Sequence, residues 1–345
     1  MSAMSELRTV EWVSGRVRMI DQTKLPDKFT YVVIKDYRKM ARAIEDMVVR
    51  GAPAIGVAAA MGLALVANGS QAKNKQQLMN ELRRAADVLR KSRPTAWNLF
   101  WAIDRILLTA EKATGSPGEI SRQIVDEARG MADEDVQANH RIGEFGAALL
   151  ADGDGILTHC NAGTLATVSY GTALAPIRTA IRQGKRLQVF ATETRPRLQG
   201  AKLTTFELLR DKIPVTLIVD GAAGYVMRRG MVSKVIVGAD RITRNFVANK
   251  IGTYMLALAA QANHIPFYVA APSSTFRLEG DQSEVKIEER GADEVTRIGG
   301  KRIAPKGVRV FNPAFDVTPV ELVEGFITER GVVSPEKLRT DAPVI

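Results

Sequence analysis

The spacing of apolar and polar positions changes along the chain, and each spacing predicts a different kind of element. Thr9 to Val13, Arg16 to Ile20 and Tyr31 to Ile34 alternate in part between apolar and polar residues, with Ser14-Gly15 between the first two. This spacing predicts a short antiparallel meander. From residue 37 to about residue 153 the apolar residues follow helical spacing. The N-terminal part is therefore predicted to be a small sheet covered by helices.

Two of the predicted helices have distinctive features. The run from Ala52 to Ala67 is uncharged and apolar, but it is interrupted by Pro53, Gly56 and Gly62. It is also shorter than the roughly 20 residues that cross a bilayer. We therefore interpret it as a buried helix and expect no membrane span. Ser116-Pro117-Gly118-Glu119 has the form of a capping box with proline at the first helical position. A helix is predicted to begin there and to continue into the 140s.

After residue 153, short apolar runs rich in branched residues alternate with longer amphipathic stretches. The runs are Ile156 to Thr158, Leu187 to Ala191, Val215 to Val219, Val235 to Val237 and Phe267 to Ala270. A strand and helix series of this kind predicts an α/β fold with a parallel sheet covered on both faces and right-handed crossovers. Ligands bind such sheets at the carboxyl ends of the strands, so functional side chains are expected there.

Composition and charge narrow the class of protein. A chain of 345 residues favours two domains or one large α/β unit. The net charge of +10 is scattered without interleaved aromatic residues, which is more typical of a solvated basic surface than of a nucleic-acid interface. A basic balance also suits an anionic small substrate. One cysteine and three dispersed histidines form no zinc pattern, so we expect no metal. The first residues lack the features of a secretory signal, so the cytosol is the expected location.

Cys160 follows the first predicted strand of the α/β part. It lies in His159-Cys160-Asn161-Ala162-Gly163-Thr164, directly before a helical pattern that starts near Leu165. A helix N-terminus there would favour the thiolate and make Cys160 a candidate catalytic residue. The alternative is a small buried hydrophobic side chain, which is the more common role of a lone cysteine.

Asp240 follows the fourth predicted strand, directly after an apolar run. Burial would raise its pKa and the neighbouring Arg241 would lower it, and the sequence leaves that balance open. Buried carboxylates are rare without a purpose, so Asp240 is a candidate catalytic residue; the alternatives are a helix cap or an arginine partner. Gln199, in the polar tract after the second strand, is a candidate for binding sugar hydroxyls, unless that tract is a solvated loop.

Three basic positions suit a phosphorylated ligand. Asn249-Lys250 is interpreted as the start of a helix, where backbone N–H groups and a cation would bind phosphate or hydroxyl groups. Arg50 and Arg93 each precede a predicted helix start and together would form a bidentate phosphate clamp, although each alone is more typical of a surface arginine. The glycines spell neither a dinucleotide-binding fingerprint nor a P-loop, so no nucleotide is expected.

Read together, these segments resemble the family that contains the 5-methylthioribose-1-phosphate isomerases of methionine salvage and the regulatory subunits of a translation-initiation guanine-nucleotide exchange factor. The resemblance extends over nearly the whole chain. It is carried by Arg50-Gly51-Ala52-Pro53-Ala54-Ile55-Gly56, Ser92-Arg93-Pro94-Thr95, His159-Cys160-Asn161-Ala162-Gly163, Glu193-Thr194-Arg195-Pro196, Gln199-Gly200-Ala201, Gly238-Ala239-Asp240-Arg241, Asn249-Lys250-Ile251-Gly252-Thr253-Tyr254 and Asn312-Pro313-Ala314-Phe315-Asp316-Val317-Thr318-Pro319.

The resemblance implies a dimeric aldose–ketose isomerase that needs no cofactor. It implies a smaller N-terminal domain of helices and a short antiparallel sheet, residues 1–120, and a Rossmann-like catalytic domain, residues 121–345. Asp240 would be the proton donor and Cys160 the transition-state stabiliser. The substrate would contact Arg50, Gly51, Ala52, Arg93, Gln199, Asn249 and Lys250.

One departure from the family pattern affects the choice of substrate. Between Asp240 and Asn249 the chain is one residue shorter than its relatives, and it lacks the Asn-Gly-Asp-Thr-Ala that usually precedes the Asn-Lys pair. Two alternatives to the methylthioribose enzyme therefore stay open at the level of sequence. One is an isomerase of ribose 1,5-bisphosphate, and the other is a non-catalytic regulatory subunit that binds a sugar phosphate.

Overall fold

The protein is described by a computed structural model that covers residues 6–94, 96–278 and 287–340. Thr95 of the Ser92 to Thr95 motif lies outside the described residues. The chain forms two compact units: unit 1 contains the residues up to His140 together with Gly163–Gly171, and unit 2 contains Arg141–Ala162 together with the residues from Thr172 onward. The predicted domain boundary at residue 120 stays a prediction, because the two compact units are not shown to fold by themselves.

Unit 1 begins with the predicted meander. Strands β1 (Val10–Val13), β2 (Arg16–Ile20) and β3 (Tyr31–Ile34) form an antiparallel sheet in that order, with Trp12 opposite Val17 and Met19 opposite Val32. The helical spacing that follows corresponds to α1 (Tyr37–Glu45), α2 (Ala52–Gly69), α3 (Lys75–Ser92), α4 (Trp97–Lys112) and α5 (Pro117–Ala147). Both predictions are confirmed.

Helix α2 is the centre of the hydrophobic core of unit 1. By length and composition it is apolar enough to cross a membrane, but most of its residues are buried inside the protein. Met61, Leu63 and their neighbours pack in one cluster with apolar side chains of α1, α3 and α4. The interpretation of this run as a buried core helix is confirmed.

The start of α5 follows the capping box that the sequence predicts. Glu119 accepts hydrogen bonds from the backbone N–H and the hydroxyl of Ser116, both at 2.8 Å. In return the Ser116 hydroxyl accepts the Glu119 N–H at 3.4 Å. This reciprocal pair satisfies donors that a helix N-terminus leaves open. Helix α5 crosses the boundary between the units at residue 140.

Unit 2 is built on a seven-stranded sheet. Its strands are β4 (Gly155–Thr158), β5 (Gln188–Thr192), β6 (Val215–Ile218), β7 (Lys234–Val237), β10 (Phe267–Ala270), β14 (Gly325–Thr328) and β15 (Gly331–Val333). All neighbouring strands are parallel except the edge pair β14 and β15. The helices of unit 2 are α6 (Leu174–Arg182), α7 (Thr205–Arg210), α8 (Ala223–Arg228), α9 (Thr253–Ala262), α10 (Asp293–Thr296) and α11 (Pro335–Thr340). The predicted α/β fold is confirmed.

The order of the strands creates a crevice. The sheet runs β15-β14-β10-β7-β4-β5-β6, so the chain proceeds outward from β4 through β5 and β6 and then returns to place β7 on the other side of β4. The connections from β4 and from β7 therefore lead in opposite directions. In open α/β sheets the ligand lies outside the carboxyl ends of the strands at such a switch point. The residues that follow β4 and β7 are therefore the candidates for ligand binding.

Two further pairings extend unit 2. Strands β8 (Arg241–Ile242), β9 (Phe246–Lys250) and β13 (Phe315–Pro319) form a small antiparallel sheet in the order β13-β9-β8. A hairpin consists of β11 (Arg297–Ile298) and β12 (Lys301–Arg302). The prediction that Asn249-Lys250 opens a helix is wrong, because these residues end β9 and α9 begins at Thr253.

Candidate active site

Cys160 lies just past the carboxyl end of β4, in a strained loop. Its φ angle is +59°, a left-handed conformation that is uncommon for residues other than glycine and often marks a functional position. Its N–H donates to the Thr194 hydroxyl at 2.9 Å, and its carbonyl accepts the Thr204 hydroxyl at 2.6 Å. The side chain is half-buried. Both ends of its backbone are therefore fixed by side chains that follow β5.

The expected helix after Cys160 does not form, and that prediction is wrong. Thr164–Ala166 is a single 3-10 turn, and the first α-helix after β4 begins at Leu174. The helix-dipole argument for a thiolate therefore does not apply to Cys160. What positions the residue is the loop geometry and its hydrogen bonds.

A buried ion pair contacts the loop that carries Cys160 through Asn161. Asn161 donates its amide to Glu207 at 2.9 Å and to Thr204 at 3.2 Å. Glu207 and Arg178 are almost completely buried and form an ion pair at 2.8 Å, and Arg178 also bonds Asp211 at 2.7 Å. A buried pair of this kind contributes little net stability, but removing one partner is costly. Its structural effect is to hold Asn161 in one orientation.

The loop after β5 supplies Gln199 and a second strained backbone. Thr194 has a φ angle of +63°, which is a genuine outlier for a β-branched residue, and the Asp220 carboxylate holds it there by accepting the N–H groups of Thr194 and Arg195, each at 2.7 Å. Gln199 is buried, and its Oε1 has no hydrogen-bond partner among the described residues. A buried acceptor without a donor is the group that a ligand hydroxyl would satisfy.

Asp240 follows β7, three residues past its last residue, Val237. Its side chain is half-buried, and its backbone N–H donates to the Ala248 carbonyl at 3.0 Å. Because β7 and β4 are adjacent parallel strands, with Leu157 paired to Val235, the segments that carry Asp240 and Cys160 leave the sheet side by side at one edge. Cys160 and Asp240 therefore follow adjacent parallel strands at the switch point.

Asn249 and Lys250 are buried at the end of β9. The Asn249 amide donates to the Thr253 hydroxyl at 3.0 Å. The Lys250 ammonium donates to the Ala314 carbonyl at 2.9 Å and lies 4.3 Å from the centroid of the Phe315 ring. A buried, held cation of this kind is suited to an anionic ligand, because it does not have to be ordered on binding.

His159 links β4 to the turn that follows Lys250. Its Nε2 lies 2.8 Å from the carbonyl oxygen of Ile251, so this nitrogen carries the proton and donates. Its Nδ1, 2.6 Å from the Thr192 hydroxyl, must then accept. Burial lowers the pKa of His159, which is consistent with this neutral tautomer. His159 therefore ties the segment that carries Cys160 to the segment that carries Asn249.

Asp316 is a further candidate site residue. It lies in the motif from Asn312 to Pro319, to which the sequence assigns no role. Burial raises its pKa to about 6, against the lowering effects of hydrogen bonds from Gly252 and Tyr254 and of the Lys250 charge. The sequence signal that could have identified Asp316 is its position in the Asn312 to Pro319 motif, which carries part of the family resemblance. Sequence alone could not show that this strand pairs with β9.

The remaining sequence candidates belong to unit 1. Gly51 precedes α2 with a φ angle of +87°, and a Cβ at this position would lie 2.3 Å from the carbonyl oxygen of Ala166, so only glycine fits. Ala52 is buried as the first residue of α2, and Arg50 beside it is half-buried. Arg93 is half-buried directly after α3. Within unit 1, Gly51 is thus packed on the segment that follows the Cys160 loop in sequence.

Among residues 6–94, 96–278 and 287–340, no three or more His, Cys, Asp or Glu side chains are grouped so that they could hold a metal ion.

A parallel sheet with a switch point, and polar side chains collected beside it, define an α/β protein that binds a small polar ligand. The chain belongs to the Initiation factor 2 subunit family, whose sequence profile matches residues 48–335. It is 52% identical over 329 residues to a methylthioribose-1-phosphate isomerase of Thermosipho africanus, with 95% of each chain covered.

Two solved structures are similar over almost the full length. The crystal structure of 5-methylthioribose 1-phosphate isomerase from Pyrococcus horikoshii is 47% identical, with a TM-score of 0.91 and coverage of 97% of this chain and 94% of that one. A crystal structure described as translation initiation factor eIF-2B, subunit delta, from A. fulgidus is 49% identical, with a TM-score of 0.87 and coverage of 96% and 97%. The two descriptions name different activities at nearly equal identity.

Proposed function

We propose that the protein is an aldose–ketose isomerase that converts 5-methylthio-α-D-ribose 1-phosphate to 5-methylthio-D-ribulose 1-phosphate in methionine salvage. The observation that carries this proposal is the arrangement of Cys160 and Asp240 after adjacent parallel strands at the switch point of the sheet. Relatives near 50% identity with that name support it.

The substrate poses a particular chemical problem. Its phosphate is attached to the anomeric oxygen, which blocks the simple ring opening that usually starts an aldose–ketose exchange. In the proposed mechanism Asp240 protonates the ring oxygen as its bond to C1 breaks, which opens the ring. The C2 hydrogen then moves to C1, either as a proton through an enediol or as a hydride, and the C2 hydroxyl loses its proton to leave the ketone. Cys160 stabilises the charge that develops during this transfer. The reaction needs no cofactor in this proposal, because the electrons are redistributed within the substrate.

The proposed substrate contacts divide by chemistry. The buried amide and ammonium of Asn249 and Lys250, with the open acceptor of Gln199, suit hydroxyl and phosphate oxygens. Guanidinium groups bind phosphate bidentately, which suits Arg50 and Arg93. The α2 N-terminus after Gly51, which has no side-chain cap, offers backbone N–H groups. The proposed contact residues are Arg50, Gly51, Ala52, Arg93, Gln199, Asn249 and Lys250.

The decisive experiment compares turnover of 5-methylthioribose 1-phosphate by the wild type, Cys160→Ser and Asp240→Asn. Loss of a general acid lowers kcat by about 10²–10⁴-fold, and we expect Asp240→Asn to fall in that range. For Cys160→Ser we expect a loss of about tenfold or more. Asp293→Asn is the control, because this aspartate is exposed on α10 and should leave the rate unchanged. Full activity in both site variants would refute the assigned roles.

The same assay separates the alternatives. A folded wild-type protein that binds 5-methylthioribose 1-phosphate without converting it would favour the non-catalytic subunit suggested by the A. fulgidus structure. A higher kcat/KM for ribose 1,5-bisphosphate would favour the bisphosphate isomerase. A C2-deuterated substrate distinguishes the two routes, since substantial release of deuterium to water would contradict direct hydride transfer.

For the assembly, we propose a homodimer that acts in the cytosol. Helices α8 and α9 carry exposed large apolar side chains, with Tyr225 of α8 at 64% and Met255 of α9 at 66% relative exposure. Tyr254 and Leu258 of α9 are also exposed. Exposed apolar patches of this kind mark protein contacts. Sedimentation analysis of the wild type and of Met255→Glu tests this, because a dimer formed here should dissociate in the variant.

A further inference from the structure

The side chain of Asp316 lies beside that of Asn249. Strands β13 and β9 are antiparallel, and Asp316 is directly opposite Asn249 in their register. Directly opposite residues project to the same face with Cβ atoms about 4.5–5.5 Å apart. On the other side of β9, the Ala248 carbonyl accepts the Asp240 N–H at 3.0 Å. Asp316 is therefore part of the local sheet that contains a proposed substrate contact, and β8 of this sheet begins directly after the proposed acid, Asp240.

One carboxyl oxygen of Asp316 has a structural task. Its Oδ2 accepts the N–H of Gly252 at 2.7 Å and the N–H of Tyr254 at 3.2 Å, so it caps the N-terminus of α9 from a neighbouring strand. This cap fixes the turn that follows Lys250. It accounts for one oxygen only.

The other oxygen has no such task. Asp316 Oδ1 is buried and has no hydrogen-bond partner in the part of the chain that the structure describes. A buried acceptor left without a donor costs about 1–3 kcal/mol, and more when it is charged. Because a carboxylate oxygen can only accept, the group that compensates for this cost must be a hydrogen-bond donor. A sugar presents O–H donors and a phosphate presents acceptors, so a hydroxyl group is the complementary ligand.

We propose that Asp316 is a substrate-binding residue of this site, with Oδ1 accepting a hydrogen bond from a ring or chain hydroxyl of the sugar next to Asn249. The proposal rests on the sugar-phosphate isomerase function given above and adds one contact to it. Oδ2 holds the turn in place, and Oδ1 selects for a hydroxyl at one carbon of the sugar. Sugars that lack this hydroxyl would then be poor ligands.

The first test uses Asp316→Asn and Asp316→Ser. Asparagine keeps an amide oxygen that can accept the Gly252 and Tyr254 N–H groups as Oδ2 does, so Asp316→Asn should keep the α9 cap while the second acceptor is lost. Serine has a shorter side chain and removes both carboxylate oxygens. We expect KM and the calorimetric Kd for 5-methylthioribose 1-phosphate to rise about tenfold, with a smaller change in kcat. Asp36→Asn is the control, because the Asp36 carboxylate also accepts two backbone N–H groups at a helix start, those of Arg38 and Lys39, although as the N-cap residue of α1 itself. It should change neither quantity.

The second test identifies the hydroxyl. Binding of ribose 1-phosphate, 2-deoxyribose 1-phosphate and 3-deoxyribose 1-phosphate is measured for the wild type and both variants. We expect the wild type to bind one deoxy sugar about tenfold more weakly than the parent, and Asp316→Ser to lose that discrimination. If both variants keep the wild-type KM, or keep the discrimination between these sugars, the assignment of Asp316 is overturned while the isomerase function stands. If the wild type neither binds nor converts 5-methylthioribose 1-phosphate, both proposals fall.

Discussion

Asp135 of α5 provides a quantitative test of how unit 1 is held together. Its Oδ2 accepts the backbone N–H of Val168 at 2.7 Å and the amide of Asn139 at 3.0 Å. These bonds attach residues 163–171 to α5. Burial nevertheless dominates and raises the pKa of Asp135 to about 7 from its ordinary 3.8. The ionised form is thus disfavoured in the folded protein.

The sign of the effect on stability follows from proton binding. Between pH 3.8 and pH 7 the folded state holds a proton that the unfolded state has released, so stability falls as the pH rises. A shift of one pKa unit corresponds to about 1.36 kcal/mol. If the whole shift of the Asp135 pKa acts on stability, the free energy of unfolding falls by about 2.6 kcal/mol between pH 5 and pH 8. Asp135 keeps some solvent contact, which screens its charge, so we expect about 1.5 kcal/mol.

Asp135→Asn removes this titration and keeps an acceptor for the Val168 N–H. Its stability relative to wild type should rise by about 1.5 kcal/mol between pH 5 and pH 8. All three tryptophans, Trp12, Trp97 and Trp101, lie in unit 1, so fluorescence during urea unfolding reports on the unit that contains Asp135. Asp133→Asn is the control, since Asp133 is exposed on the same helix. If the difference in the free energy of unfolding between the variant and the wild type stays constant from about pH 5 to about pH 8, the reasoning is refuted.

Two further substitutions test the supports of the site. Gly51→Ala should lower the free energy of unfolding by about 2–4 kcal/mol, because of the positive φ angle and the contact with Ala166, whereas Gly69→Ala at the open end of α2 should change it by less than about 1 kcal/mol. Glu207→Gln should cost about 3 kcal/mol, because it removes the charge of a buried carboxylate that pairs with the buried Arg178. Glu294→Gln, in the more exposed pair with Arg197, should cost under about 1 kcal/mol. Urea unfolding measures all four, and equal effects within either pair would contradict the packing argument.

Local patterns in the sequence were sufficient for most elements of the fold. The alternation in β1 to β3, the capping box at Ser116 and the apolar runs that became the parallel strands all correspond to structure. These features depend on residues within one or two turns of each other. The sequence also placed Cys160 and Asp240 at strand ends, because an apolar run that stops at a polar residue marks the end of a buried strand.

Two local predictions failed where distant residues provide the hydrogen-bond partners. Residues after Cys160 have helical spacing, but the carbonyls of Thr164 and Val168 accept the hydroxyl and the N–H of Thr9, so the segment packs in unit 1 as an irregular stretch. Asn249 and Lys250 were read as a helix start, but β13, far along the chain, pairs with them and extends the strand. Backbone groups that find strong partners elsewhere do not complete a local helix.

By itself, the sequence determined the alternation of strands and helices, the family resemblance and the residues that could carry chemistry, because these are written in neighbouring or short-range positions. Only the tertiary structure decided that β7 lies beside β4 and that Asp316 faces Asn249. Strand order and antiparallel register arise from pairing between segments far apart in the chain, and no local period encodes them. The arrangement of the site therefore depends on the fold as a whole.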